Sequence, residues 1–379
     1  MKIKKMTEPQ NQNLALNGVK IIDLTRALAG PICSSLLADM GAEVIRVENP
    51  DNGKEKPQVD IAVRLHHRNK KSVTLNMRSE KGKDMLRRLI EWADVLIENF
   101  KPGVMQEMGF DYPAVKKINP CIVMVSISGY GQTGPYAGRA GLDGVGQAMG
   151  GLMSMTGPDN TPPTTAGAAI ADIASGTFAA FGAVLALYHR KSTGLGQHVE
   201  TTLMDSVAYL MSLQIAKYAM GQPNKRDAAN QIPGAGTFRT KDAHYIMIMG
   251  GLPQHFSLLA HLIGKDELAT APGYRTRLER DEHLEEITDA IKTWIGSQTI
   301  TAVEAAMEKL GIPFGRVQTI EELMVDPHLI ARNRITEVEV DGQKKRCLLR
   351  IPSCPIRPAR FESLARHWAN ITTTFTEKF

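Results

Sequence analysis

Residues 19–48 read VKIIDLTRALAGPICSSLLADMGAEVIRVE, and the fold turns on how this stretch is parsed. Val19 to Leu24 is an apolar, β-branched run, Ala29-Gly30-Pro31 is a tight turn, and Ile32 to Met40 is a helix behind a proline. Proline suits the first helical position, because the N–H it lacks would have no intrahelical partner there, and Gly41 supplies the stop. Val44, Ile45 and Val47 then begin a second strand, so the stretch is a βαβ unit. The rhythm continues. Met85, Leu86, Leu89, Ile90 and Ala93 share one helical face, Val95 to Ile97 reads as a strand ending in Glu98 and Asn99, and Ile122 to Ile127 as another. Strands that are apolar without alternation, separated by helices, predict a parallel sheet covered on both faces and hence an α/β fold.

Further along, Gly129 to Gly167 is rich in Gly and Pro with few period signals, which in a compact domain marks functional surface. An apolar helix over Ile170 to Leu187, a strand at Val199 to Leu203 and a second long helix from about Asp205 follow. A strand pair near Thr237 to Met249 and charged amphipathic helices from Glu267 to Leu310 predict a smaller α+β domain. Val338, Val340 and Leu348 to Ile351 read as strands returning to the first domain. The expected division is a loose tail over 1–13, the N-terminal part of a large domain over 14–203, a linker helix over 204–227, a small domain over 228–325, and a return to the large domain over 326–379.

Composition bounds the function. With 379 residues, 43% hydrophobic and 22% charged, the chain is neither disordered nor fibrous. Lys and Arg exceed Asp and Glu by 45 to 40, and aromatics are 6%, so a nucleic-acid coat is excluded and the positive excess must act locally. Cys33, Cys121, Cys347 and Cys354 lack metal-ligand spacing and read as free thiols of a cytoplasmic protein. Phe178 to Tyr188 falls short of the roughly 18 apolar residues of a membrane span and is expected to be a buried helix, with no membrane partner. Met1 to Asn13 lacks the shape of a targeting peptide.

Gly129-Tyr130-Gly131-Gln132-Thr133-Gly134 is formally GxGxxG, but Pro135 follows, no apolar helix starts there, and no acidic residue stands about twenty positions on, so a turn-rich loop is the better reading. Glu48, at the end of the second strand, is placed like a ribose partner, yet its turn lacks the fingerprint. Between Asp60 and Glu80 no carboxylate offsets Arg64, Arg68, Lys70, Lys71 and Arg78, which suits either an anionic ligand or a solvated surface. His66 and His67 are adjacent rather than at ligand spacing, so no metal site is expected. Asp172 interrupts a run of small and apolar residues. It reads either as a helix N-cap, which composition favours, or as a nucleophilic carboxylate at a helix start.

Taken together, Asp23-Leu24-Thr25 with Ala29-Gly30-Pro31, Gly41-Ala42-Glu43-Val44-Ile45, Asn69-Lys70-Lys71-Ser72, Glu98-Asn99-Phe100-Lys101-Pro102-Gly103, Ser128-Gly129-Tyr130-Gly131, Gln147-Ala148, Ala171-Asp172-Ile173, Thr193-Gly194-Leu195-Gly196-Gln197, Leu310-Gly311-Ile312-Pro313 and Asp326-Pro327-His328-Leu329 resemble the class III coenzyme A transferases in order and spacing. The resemblance spans Leu16 to Arg334. It implies a Rossmann-like large domain built from both chain ends, a small inserted domain, and two subunits interlocked as a homodimer. It also implies CoA and acyl-CoA as substrates, with no permanently bound cofactor, and a carboxylic acid as the other partner. The aspartate at the position of Asp172 would attack the thioester, and catalysis would pass through aspartyl anhydride and aspartyl-CoA.

Carried over position by position, the CoA contacts would be Leu28, Ala29, Leu75, Arg78, Asn99, Phe100 and Lys101. Asn49 and Glu107 stand where relatives often carry basic residues, leaving Arg139 and Arg46 as substitutes for phosphate binding. Oxyanion donors are expected from Gly250-Gly251, with Gly234-Ala235-Gly236 as the alternative. Substrate shape is expected to be set by Gly129 to Pro163 and the loop near Gly250. A racemase branch of the same fold has a histidine where Gly141-Leu142-Asp143 places leucine, so transfer is favoured over racemisation. A non-catalytic CoA-binding protein is the third reading.

Overall fold

The computed structural model describes residues 14–50, 66–226, 232–340 and 343–348. The expected tail over 1–13, Asp60 and Arg64 of the basic stretch, Ala228 at the expected domain boundary, Ile351 and Cys354 lie outside them. Cys33 and Cys121 are free thiols, the first buried and the second exposed.

Residues 19–48 form β1 (Lys20–Asp23), α1 (Ala29–Asp39) and β2 (Glu43–Glu48), with Ile21 opposite Val44 and Ile22 opposite Ile45. β3 (Lys70–Thr74), α2 (Glu80–Trp92), β4 (Val95–Glu98), α3 (Val104–Glu107), α4 (Tyr112–Ile118) and β5 (Val123–Ser128) follow, and β6 (His198–Thr202) closes a six-stranded sheet. Its order is β3-β2-β1-β4-β5-β6 and every pair is parallel. Successive strand residues point to opposite faces. Ile21, Val44, Val95 and Val123 therefore join one core with α1, while Ile22, Ile45, Leu96 and Met124 join another with α2 and α4. Ser79 caps α2 by accepting from Gly82 N, and Asp111 caps α4 by accepting from Ala114 N, which fixes where each covering helix begins.

The Gly- and Pro-rich stretch is less irregular than its composition suggests. It contains α5 (Asp143–Met149) and a 3₁₀ turn over Leu152–Met155. Gly146 belongs in α5 because a Cβ there would stand 2.8 Å from Leu203 Cβ and 2.9 Å from Ala171 Cβ, so close packing overrides helix propensity. α6 (Ile170–Thr193) is the expected apolar helix, but only one of its faces is buried. Ala171, Ser175, Gly176, Ala179, Ala183 and Ala186 pack inward, whereas Phe181, Leu185 and Tyr188 are 63%, 51% and 76% exposed. Among the described residues α6 is the one helix long and apolar enough to cross a membrane, and its inner face belongs to the core. The long helix expected from Asp205 is two helices, α7 (Leu203–Leu210) and α8 (Ser212–Ala219), divided at Met211.

By its contacts the chain divides into one unit of residues 1–154, 164–216 and 334–379, and another of 155–163 and 217–333. The second holds an antiparallel sheet of β7 (Ala235–Arg239), β8 (Tyr245–Met249) and β9 (Phe314–Arg316), in the order β7-β8-β9. Around it lie α9 (Pro253–Leu262), α10 (Glu267–Thr270), α11 (Arg277–Glu282), α12 (Leu284–Ser297), α13 (Ile300–Leu310), α14 (Ile320–Leu323) and α15 (Pro327–Ala331). Ile287, Ile291 and Ile295 of α12 recur every four residues and face Ile246 and Ile248 in one core. β10 (Ile335–Val340) and β11 (Gln343–Leu348) pair as an antiparallel ribbon.

Candidate active site

In open parallel sheets ligands bind beyond the carboxyl ends of the strands, where the strand order reverses, and here that point lies between β1 and β4. The two loops that leave it are tied together by one side chain. Asn99 Oδ1 accepts from Arg26 N at 2.8 Å, and Asn99 Nδ2 donates to Arg26 O at 2.7 Å, so the amide pairs with the backbone as a neighbouring strand would. The next residue, Ala27, adopts φ +58°, a strained conformation for a residue with a Cβ, and turns the chain into Leu28 and α1. Phe100 is held by its N–H donating to Glu98 Oε2 at 2.8 Å, and its ring lies 5.9 Å from the Arg26 guanidinium. Leu28, Ala29, Asn99, Phe100 and Lys101 therefore lie on the two tied loops that leave the carboxyl ends of β1 and β4, with Lys101 exposed. The first turn of α1 has no side-chain cap, and its first residues Ala29, Gly30 and Pro31 are buried.

Leu75 and Arg78 follow β3 at the same edge of the sheet, Leu75 half-buried with its N–H donating to Glu48 O and Arg78 exposed. The rest of the basic stretch is engaged elsewhere. Arg68 grips the Asp39 carboxylate through Nε and Nη2, Lys71 pairs with Glu43 at 2.5 Å, and Lys70 is buried against Asp23 at 3.0 Å with Ser34 Oγ at 2.7 Å. Neither a ligand patch nor a solvated surface describes Lys70. Burial and the Lys70 ammonium push the His67 imidazole down to about 2, so His67 is neutral, with Nδ1 3.3 Å from Lys70 Nζ. Arg46 Nη1 is paired with Glu48 at 2.8 Å, and Glu48, itself buried, also accepts from Ser72.

Gly129 to Gly141 form a closed loop, with Gly129 and Gly141 so near that a Cβ on Gly129 would stand 2.8 Å from Gly141 Cα. No helix starts directly after the GxGxxG, where turns run on to Arg139, in agreement with the loop reading. The loop carries Arg139, whose guanidinium lies 3.9 Å from the Tyr136 ring centroid. In the second unit Gly250 N donates to Gly234 O at 2.8 Å, so this N–H already has an acceptor. Gly251 follows it after β8.

Asp172 is not a cap. It is the third residue of α6, whose N-cap position is Ala169, and among the described residues its carboxylate accepts no hydrogen bond and enters no ion pair. The capping is done by Asp143: its Oδ1 accepts from Ala171 N at 2.8 Å and from Asp172 N at 3.1 Å. Gln147 Nε2 donates to Asp143 Oδ2 at 2.5 Å, while Gln147 Oε1 accepts from Ala166 N at 2.9 Å. Burial and the Asp143 charge push the Asp172 carboxyl up to about 6. A half-buried carboxylate with its lone pairs unclaimed can attack an acyl carbon. Sequence reasoning gave Asp143 and Gln147 no role. The signal was their spacing of four, which on a helix puts both on one face.

Residues 16–369 match the family described as CoA-transferase family III. A succinyl-CoA–D-citramalate CoA-transferase of Chloroflexus aurantiacus is 37% identical over 85% of this chain and 83% of its own length. A succinate–glutarate CoA-transferase of Agrobacterium fabrum is 34% identical over 89% and 88%. The crystal structure of a CAIB/BAIF family protein from Brucella suis superposes with a TM-score of 0.81 at 33% identity, covering 94% of this chain and 97% of that one.

Proposed function

From the premise that the chain belongs to CoA-transferase family III, we propose that it moves CoA from an acyl-CoA to a free carboxylic acid with Asp172 as the nucleophile. The Asp172 carboxylate attacks the thioester carbonyl, the C–S bond breaks, and an aspartyl anhydride and CoA thiolate form. The thiolate attacks the aspartyl carbonyl, releasing the donor acid and leaving aspartyl-CoA. The acceptor carboxylate displaces the thiolate in turn, and the thiolate attacks the acceptor's acyl carbon, which regenerates Asp172. Each attack creates an oxyanion that needs N–H donors, and a pocket that keeps water from the anhydride.

The observation that carries this reading is the free Asp172 carboxylate beside a cap supplied by another residue. CoA is a substrate here rather than a resident group. Its phosphates would meet Arg78, Lys101 and Arg139, with Leu28, Ala29, Leu75, Asn99 and Phe100 lining the approach. Relatives named for succinyl-CoA or succinate, with citramalate and glutarate, support succinyl-CoA as donor and a small dicarboxylic acid as acceptor. The Rossmann-like large domain would enter an interlocked homodimer, for which the uncovered apolar face of α6 speaks.

The reading is tested by mixing acyl-CoA with an isotopically labelled acid. Labelled acyl-CoA is expected from the protein, none from Asp172→Ala, and CoA binding is retained in the variant. Exchange of the α-proton in deuterated water without any acceptor acid would replace transfer with the racemase reading, and an Asp172→Ala protein with unimpaired exchange would overturn the nucleophile.

A further inference from the structure

A carboxylate in the first turn of a helix ordinarily turns back to the free N–H groups there, which stabilises its charge and the helix together. In α6 those donors are occupied. Asp143, twenty-eight residues before Ala171, reaches across from α5 to accept from Ala171 N and Asp172 N. Its second oxygen is held by Gln147, which is 1% exposed and whose own amide also bonds Ala166 N and, at 3.3 Å, Ala168 O. One acid and one buried amide thus fix the chain from Ala166 to Asp172. Leu142, at the N-cap of α5, supplies no side-chain bond, so the cluster contains no acid or base besides the two aspartates.

We propose that Asp143 is a positioning residue for the nucleophile, taking the amide donors of α6 so that the Asp172 carboxylate stays unbonded and free to attack, with Gln147 holding Asp143 in place. The proposal rests on the reading of Asp172 as nucleophile. Hydrogen bonds from the helix end would stabilise the Asp172 anion in its resting state and so raise its barrier to attack. The charge of Asp143 works the same way. Elements α1, α5, α7, β5 and β6 pack against α6, and of their charged groups Asp143 is the one that acts on Asp172.

The test uses Asp143→Asn, which keeps an acceptor for α6 without the charge at the cost of the Gln147 bond, and Asp143→Ala, which frees the donors. For each, kcat, KM for acyl-CoA, the pH profile and the unfolding midpoint are measured. The expected result is an acid limb displaced to lower pH in Asp143→Asn, because one of the two causes that raise the Asp172 carboxyl, the Asp143 charge, is removed. In Asp143→Ala kcat is expected to fall by about 10- to 100-fold with KM changed less than about threefold. A purely structural role would lower the unfolding midpoint and leave the acid limb where it was. An unmoved limb together with unchanged kcat in the folded variants overturns the proposal, and should Asp143→Ala not fold, Asp143→Asn decides alone. Exchange retained by Asp172→Asn would instead defeat the nucleophile reading itself, so the two failures are distinguishable.

Discussion

Gly176 lies against the carbonyl of Ala29: a Cβ built on Gly176 would stand 2.4 Å from that oxygen and 3.0 Å from Ile32 Cβ. Gly176 is one helical turn beyond Asp172 on the same face of α6, so this contact sets the start of α1 beside the helix that carries the carboxylate. Gly176→Ala forces the two helices apart. A loss of about 1–3 kcal/mol is expected in denaturant unfolding, and a fall in turnover larger than the stability loss explains.

Lys70 and Asp23 tie β3 to β1 with both side chains buried. Burial would raise the Asp23 carboxyl, but the Lys70 ammonium and the Ser34 and Thr25 hydroxyls overrule it and hold it below its ordinary value. A depressed carboxyl contributes stability that is present above its unfolded pKa and is lost as pH falls through the folded one. Lys70→Met leaves a buried charge unpaired. It is expected to cost about 3–5 kcal/mol at neutral pH, with the deficit shrinking in acid as Asp23 takes up a proton, as read by urea unfolding at several pH values.

Lys101 and Arg78 are exposed at the carboxyl edge of the sheet. If they meet CoA phosphates, Lys101→Ala and Arg78→Ala each weaken binding of CoA by about tenfold, with a weaker salt dependence than the parent, and leave kcat at saturation nearly unchanged. Calorimetric titration with CoA at two ionic strengths measures this.

Phe181, Leu185 and Tyr188 form an exposed apolar stripe at helical spacing on α6. Contiguous exposed apolar surface of this kind marks interaction sites. Phe181→Glu with Leu185→Glu is expected to convert a dimer to a lower oligomeric state in sedimentation analysis, whereas a monomeric parent would remove the interlocked arrangement from the account.

Most of the sheet was legible because the signal is local. Ile21 and Ile22 sit in a short β-branched run closed by the Ala29-Gly30-Pro31 turn, which reads as a strand buried on both faces, and they join separate cores. The site was legible as a set of loop positions following β1 and β4, but not in its pairings. Arg68, Lys70 and Lys71 find Asp39, Asp23 and Glu43 at separations of 29, 47 and 28 residues, distances over which a charge count is blind. The same holds for Asp172. Its local sequence reads as a cap because aspartate suits a helix start, and that reading fails because the helix is capped by Asp143, brought there by α5 packing against α6 and α7 through Gly146.

The most direct measurement traps the covalent intermediate. The protein is incubated with acyl-CoA and hydroxylamine, digested, and its peptides weighed. A hydroxamate on Asp172, formed only when acyl-CoA is present, is the expected result. Sustained turnover with Asp172 unmodified, or with the adduct on another carboxylate, would contradict the account.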